Sequence, residues 1–494
     1  MPTAATIARR TAQRKRANQI KKQKELKRKT AGPAFIEKII ITANKANRRG
    51  RKDNVDVANG TVQLQYWESL LQDHVVANVI FVDGGTRADD KPTSSALTSL
   101  PIEISCNVSL KFKDNNGNVL DFTNSKNNSF IIKKITPITD DATKGSVSLE
   151  LITTEAVKNE KSGVDIRTDG KISDHVKKIF QDKKYLASKK TLDIEETSNN
   201  LNYCMNKNKL YFQLNTISRD GIPSGQSNPQ ASANGGSSAG FIFYETYDGL
   251  KFKSIDGLLG QKQKLSIIYN NTPGSNDKDI PAGYDVKALT YSKDNVADLT
   301  KKQRMGAWDT KLSTFDLYSF TWEESEFNAE DSQQYLKLAG KSFPKLNEEL
   351  NKEGEYWNAT RGTFMVLSPG NLVEGSGLGA SQEQLTKSKE KNFEAKKILN
   401  QSIMRYNQLF TSKVNITIPG DFSLRAGDAV WFDSVDVKES KNKACGDDVN
   451  KESGGKYIIA SLCHYLTPKE TYTKLSLIRD SVGRDVSSGN HVNR

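Results

Sequence analysis

Metal or acid–base chemistry would have few places to come from in this chain, which has only four histidines and four cysteines in 494 residues. Cys106, Cys204, Cys445 and Cys463 include no Cys-x-x-Cys pair. Cys463-His464 with Cys445 offers three ligands on an awkward spacing, one short of a tetrahedral zinc site. Four cysteines in so long a chain do not make a disulfide framework, and the expected place of synthesis is a reducing cytoplasm. His74 closes the run Glu68 to His74 (ESLLQDH), which lacks the two-histidine spacing of a zinc protease helix. His175 is expected on a helix surface, His464 as a satisfied polar residue after a strand, and His491 in the tail.

Carboxylates and phosphate loops fare no better. Glu323, Glu324 and Glu326 could in principle supply the carboxylate pair of sugar hydrolysis. Adjacent carboxylates on a polar stretch are more simply a solvated face. Gly340-Lys341-Ser342 ends like a phosphate loop, yet the glycine required five positions earlier is Tyr335. Gly375 to Ala380 (GSGLGA) fits a relaxed dinucleotide fingerprint, but the turn Ser368-Pro369-Gly370-Asn371 precedes it instead of a strand. No Gly-x-Ser-x-Gly elbow occurs. The expectation is a non-enzyme with no catalytic residue, no cofactor and no metal.

The elements that would position any such group read as mostly β. Phe35 to Thr42 (FIEKIIIT) is apolar and β-branched, and Thr61 to Trp67 alternates with Val62, Leu64 and Tyr66 on one face. Val75 to Val82, Ile102 to Phe112, Phe130 to Ile135 and Val147 to Ile152 continue the series, and Asn116-Gly117 predicts a two-residue hairpin turn. Ser173 with Asp174 is placed to cap a short helix through Phe180, and Leu210 to Ile217 predicts another. Residues 221–240 are a Gly/Ser/Asn/Pro loop, followed by the apolar hairpin Phe241 to Ile255. Leu265 to Tyr269, Asp285 to Tyr291 and Phe315 to Thr321 read as strands. Ala395, Ile398, Leu399, Ser402, Ile403, Tyr406, Leu409 and Phe410 form one helical stripe within roughly 381–410. Strands then resume at Val414 to Ile418, Ala429 to Phe432, Tyr457 to Cys463 and Tyr472 to Ile478. No run of eighteen apolar residues is present, so no membrane span is expected, and no apolar core of a secretory signal follows the first residues.

Charge is concentrated at the start. Arg9, Arg10, Arg14, Lys15, Arg16, Lys21, Lys22, Lys24, Lys27, Arg28 and Lys29 stand against Glu25 alone, a net of +10 within residues 1–30. The whole chain is +13, so everything else carries only +3. This arm could bind polyanions without sequence readout, serve as a solvated tail, or order against an acidic protein neighbour. It has no aromatic residue with which to stack on bases.

Four stretches, in order, resemble the central baseplate hub proteins of T-even-like contractile-tailed phages, a family that shares its architecture with type VI secretion spike proteins. The first is Val62 to Val82 with Tyr66-Trp67-Glu68-Ser69. The second and most specific is Ser238-Ala239-Gly240-Phe241-Ile242-Phe243-Tyr244-Glu245-Thr246, continuing through Asp248-Gly249-Leu250 to Ser254-Ile255-Asp256. The third is Arg304-Met305-Gly306-Ala307-Trp308 with Thr314-Phe315-Asp316. The fourth is Ile418 to Val430 (IPGDFSLRAGDAV), leading to Gly455-Lys456-Tyr457 and His464.

The resemblance spans roughly residues 35–480 and implies an α+β, mainly β chain. Two similar antiparallel β-barrel domains of tube type, with an inserted α/β domain and a helical insertion, are expected. The corresponding boundaries are an arm at 1–34, a first barrel at 35–160 and an α/β domain at 161–262. A second barrel follows at 263–335 and 411–480, interrupted by the helical insertion 336–410, and a tail closes the chain at 481–494. The family also implies a homotrimer whose six barrels match a sixfold tail tube to a threefold central spike. The partners so implied are the spike protein, tail tube or tube-initiator proteins, the tape measure protein and other baseplate wedge proteins, with DNA only in transit. The expected location is the virion tail baseplate. The residues leave two alternatives: a nucleic-acid-associated virion protein acting through its arm, and a tail-associated cell-wall hydrolase.

Overall fold

A computed structural model describes residues 32–44, 54–83, 102–123, 130–140, 145–161, 163–168, 170–201, 203–224, 238–270, 284–294, 298–316, 320–333, 336–347, 361–367, 395–434 and 453–484. The first stretch supplies eight strands: β1 (Phe35–Thr42), β2 (Asn54–Asp56), β3 (Thr61–Ser69), β4 (Val76–Asp83), β5 (Asn107–Lys113), β6 (Val119–Asp121), β7 (Phe130–Asp140) and β8 (Gly145–Ile152). They pair antiparallel in the order β3-β4-β8-β7-β5-β1-β2, with β6 on β5. Period-two patterning places Leu64, Tyr66, Val79, Phe81, Val108, Leu110, Phe112, Leu149 and Leu151 in one core.

Two sequence expectations change here. Val62 is 47% exposed because the β3–β4 register slips between Thr61 and Gln63, which turns it out of the face shared by Leu64 and Tyr66. The β5–β6 connection is longer than a two-residue turn. Asp114 donates its amide to Asn118 O at 3.0 Å and accepts from the Asn116 and Asn118 amides, and Gly117 alone takes a left-handed φ, 91°.

The next stretch is mixed. It holds α1 (Thr154–Lys161), β9 (Val164–Thr168), α2 (Ile172–Gln181), β10 (Leu192–Ile194), β11 (Tyr203–Asn208), α3 (Leu210–Ser218), β12 (Phe241–Thr246), β13 (Gly249–Ser254) and α4 (Ile255–Gly260). β10 runs parallel to β13, and β12 closes an antiparallel hairpin on it. Phe180, Leu210, Leu214, Phe241, Phe243 and Phe252 form a second core between the helices and this sheet. The cap of α2 is Lys171, not Ser173; the Ser173 amide is instead bound to Thr197 Oγ1 at 3.1 Å.

The remaining elements are β14 (Leu265–Tyr269), β15 (Val286–Lys287), β16 (Thr290–Lys293), α5 (Leu299–Met305), β17 (Asp309–Asp316), β18 (Thr321–Asn328), α6 (Ala329–Ser332), β19 (Arg361–Leu367), α7 (Ala395–Gln408), β20 (Ser412–Pro419), β21 (Ala429–Ser434), β22 (Gly455–Leu466) and β23 (Thr471–Arg479). β14, β15, β16 and β20–β23 enclose a third core of Ile267, Ile416, Ile418, Val430, Phe432, Tyr457, Ile459 and Leu477. This unit is not purely antiparallel, since β14 lies parallel to both β15 and β21.

Of the strand expected at 315–321, Phe315 and Asp316 end β17 and Thr321 begins β18, its antiparallel partner, while 317–319 lie outside the described residues; β17 pairs on its other edge with β19 from inside the expected helical insertion. These three strands form a sheet of their own, Leu312 of β17 is fully buried, and α7 packs against β17 and β18. Helix α7 also buries Arg405, outside the predicted stripe, whereas Phe410 is 37% exposed.

The first and third cores sit on one continuous sheet. β22 is twelve residues long and serves both. Its first residues pair with β21, while Ser461–Leu466 pair with β3 along one edge and with β23 along the other. Phe422 and Leu466 from the last unit pack into the first core, with the Phe422 ring edge-on to Phe112 at 5.3 Å.

Candidate functional site at the junction of the units

Glu68 marks the meeting point of three regions far apart in sequence. Strand alternation puts it on the same inward face as Tyr66, and both are essentially without solvent exposure. Its Oε1 accepts from Tyr66 Oη at 2.8 Å and from the Tyr247 amide at 2.8 Å, and its Oε2 accepts from the Ala426 amide at 2.9 Å. Tyr247 belongs to the tight β12–β13 turn, and Ala426 to the turn entering β21.

The Arg425 guanidinium lies 4.8 Å over the Tyr247 ring and 3.3 Å from Asp248, and it donates to the Phe422 and Leu424 carbonyls. Burial raises the Glu68 carboxyl above its usual range, and Arg425 only partly opposes that shift. His464 stacks on Tyr66 at 5.9 Å, with its Nδ1 3.0 Å from Thr473 Oγ1. Burial first, and then the Arg425 charge, hold its pKa well below that of a free imidazole. It lies inside β22 rather than after a strand.

Two further buried ion clusters extend this seam. Glu245 accepts from the Val75 amide at 3.1 Å and from Thr153 Oγ1 at 3.0 Å, and Lys190 bridges it to Glu155. Arg405 on α7 binds Asp256 at 2.8 Å and Asp480 at 3.0 Å, all three side chains fully buried. Asp480 in turn accepts from the Ala339 amide. Glu155, Glu245, Asp256 and Asp480 thus each hold a buried cation, and Glu68, Glu245 and Asp480 accept from backbone amides of distant segments. Such an arrangement ties the units to one another. A cleft of about 360 Å³ adjoins the seam, between β10, β13 and the turn at Gly427-Asp428. Glu195 in its wall is held by the Ser254 amide and hydroxyl.

The sequence-predicted groups fall elsewhere. Arg9, Arg10, Arg14, Lys15, Arg16, Lys21, Lys22, Lys24, Lys27, Arg28 and Lys29 lie outside the described residues, as do the 375–380 glycine run, Cys445 and His491. Glu324 and Glu326 sit on β18 sharing Lys311, at 2.7 and 4.0 Å, which is a cross-strand ion arrangement on an exposed face. Gly340 and Lys341 form a bend and Ser342 is bridged to Val482, and among the described residues no helix begins there. Among the described residues, no group of three His, Cys, Asp or Glu side chains is arranged to hold a metal ion.

Sequence reasoning did mark the hub-like stretches containing Glu68, Glu245-Asp248 and Arg425-Asp428. It missed Lys190, Arg405 and Asp480; Arg405 was a charge inside an apolar helical stripe, whereas Lys190 stands among Ser188, Lys189 and Thr191 with no local signal of burial.

No protein-family model matches the chain, and no curated protein matches it by sequence. Among solved structures, a tail protein from Neisseria meningitidis MC58 is similar at 10% identity, over 90% of this chain and 96% of that one, with a TM-score of 0.45. The 43 kDa tail protein of prophage MuSo2 from Shewanella oneidensis gives 9% identity, 90% and 99% coverage, and a TM-score of 0.47. An E. coli component of the type VI secretion system gives 7% identity, 87% and 77% coverage, and a TM-score of 0.35.

Proposed function

We propose that this chain is a structural subunit of a contractile phage tail baseplate, acting as the hub between tail tube and central spike. The observation that carries the reading is the pair of separately cored β units in one chain, joined edge to edge where β22 pairs with β3. Three such chains around an axis would present six β units, the number a sixfold tube requires, while keeping threefold symmetry for a spike. The buried seam around Glu68, Glu245 and Arg405 suits a load-bearing part, because rigid docking of the units keeps the six positions equivalent. The proposed partners are further copies of itself, the spike, the tube or its initiator, the tape measure and wedge proteins, with DNA only passing through.

Exposed apolar side chains on the first unit, among them Phe35 at 62% and Ile138 at 52%, are surface that an obligate interface would cover. Light scattering on the purified chain tests the reading. A trimer of 54.9 kDa chains has a mass of about 165 kDa, and images of it should show six lobes around a ring. A stable monomer across micromolar concentrations, or a ring of another order, overturns it.

A further inference from the structure

The cleft of about 360 Å³ beside the seam has no task in the hub reading, and one face of the sheet β10-β13-β12 forms its floor. Register sets Asp193, Lys251 and Tyr244 side by side across the three strands. Glu195 follows two residues after Asp193 on the same face, where its amide on the Phe252 carbonyl continues the ladder. Some of the polar groups here are already paired: Lys253 with Asp193 at 2.6 Å, and Lys264 with Asp428 at 2.9 Å. Four are not, among the described residues. Tyr244 is 2% exposed, yet its Oη lines the cleft without a hydrogen bond. Gln261 donates through Nε2 to the Leu258 and Gly427 carbonyls, at 3.0 and 2.8 Å, which leaves its Oε1 open. Glu195, 5% exposed, accepts from Ser254 alone and has no cation at ion-pair distance. Lys251 has no carboxylate at that distance either. Gly427 keeps the phenol uncovered, since at its φ of 85° a Cβ would stand 2.4 Å from Tyr244 Oη.

We propose that this cleft binds a small zwitterion, with one ammonium and one carboxylate on a molecule the size of an aliphatic amino acid. A buried carboxylate without a counter-ion is costly, and an ammonium brings both the charge and three donors. Glu195, Tyr244 Oη and Gln261 Oε1 are three acceptors for them. The ligand's carboxylate falls to Lys251. Neighbouring strands lie about 5 Å apart and two residues advance about 6.6 Å, so Lys251 and Glu195 are rooted about 8 Å apart on the sheet. That separation admits a ligand between the two charges. Ile194 and Leu258 add apolar wall, which suits an aliphatic side chain, and the volume lies at the small end of ligand clefts. A lone cation leaves Lys251 facing it, and a lone anion leaves Glu195 uncompensated, so either half alone fits less well. The inference rests on the cleft and is independent of the trimeric ring.

Isothermal titration calorimetry of the full chain with L-leucine, L-leucine methyl ester and N-acetyl-L-leucine tests it. Leucine should bind saturably with a Kd of about 1 mM or below, and each blocked form at least roughly tenfold more weakly, because a hydrogen bond to a charged group is worth about that factor. In Y244F and in K251M the affinity for leucine should fall roughly tenfold. Neither polar atom holds another part of the described fold, so both unfolding midpoints should match the parent's. Absence of saturable binding up to about 10 mM leucine overturns the proposal. So does a blocked form that binds as well as leucine, or parent-like affinity in both variants. A Y244F midpoint well below the parent's also overturns it, since the hydroxyl would then be holding the fold together instead of facing a ligand. The ligand series uses the unaltered chain, so a misfolded variant does not blunt the test.

Discussion

Replacing Glu68 with alanine removes the acceptor on which three hydrogen bonds converge, from Tyr66, Tyr247 and Ala426. Two backbone amides and a phenol are left buried and unpaired, at about 1–3 kcal/mol for each unsatisfied donor that cannot relax. Arg425 keeps only the half-exposed Asp248 as a charged partner, and breaking a buried pair typically costs about 3–5 kcal/mol. Some of these terms overlap, so the expected loss for E68A is about 3–5 kcal/mol in total.

Glu68→Gln separates acceptor geometry from charge. Burial already raises the carboxyl pKa, which means the charged form is disfavoured there, so removing the charge is not the main harm. One donor must still face the new NH₂ group, and E68Q should lose only about 1–3 kcal/mol. Guanidinium unfolding followed by tryptophan fluorescence reports this, since Trp67 adjoins the seam. With a slope of about 4 kcal/mol per molar, E68A should lower the midpoint by about 1 M and E68Q by clearly less. An E68A midpoint equal to the parent's would refute the seam's role. A loss in E68Q as large as in E68A would show that charge, not acceptor geometry, holds the units together.

Lys190→Met should cost about 3–5 kcal/mol by stranding Glu155 and Glu245, read from the same midpoint. The folded-state pKa of Glu155 is lowered, because Lys190 and hydrogen bonding outweigh burial, so its contribution is present above the free-carboxylate range and lost as pH falls through the folded value. K190M should flatten that acid-side loss, and an unchanged pH profile would contradict it. Gly427→Ala places a Cβ 2.4 Å from Tyr244 Oη at a φ of 85°, so thermal unfolding should show about 2–4 kcal/mol lost, more than for G260A, where a Cβ meets open space. His464 is held neutral: its folded pKa is depressed, so the stability it confers is full above the free value near 6.5 and falls as pH drops below it. Parent minus H464Q should therefore decline by up to about 1.4 kcal/mol per pH unit between pH 6.5 and 5, and a flat difference would refute the buried neutral imidazole.

The amino-acid pattern alone settled the β character, because period-two alternation such as Leu64-x-Tyr66 and Val108-x-Leu110-x-Phe112 has one physical reading on a half-buried sheet. It also marked the apolar hairpin Phe241 to Ile255, which the structure forms as β12 and β13. What the pattern could not hold was partnership between distant segments. Glu68, Tyr247 and Ala426 are ordinary residues until the chain brings 68, 247 and 426 together, since one acceptor and three donors from remote strands leave no local period. Likewise the strand expected at 315–321 overlaps β17 only at Phe315 and Asp316, and the parallel pairing of β17 with β19, about fifty residues further on, leaves no local period. Burial of Arg405 in α7 follows from two aspartates, 256 and 480, that only the fold delivers to it.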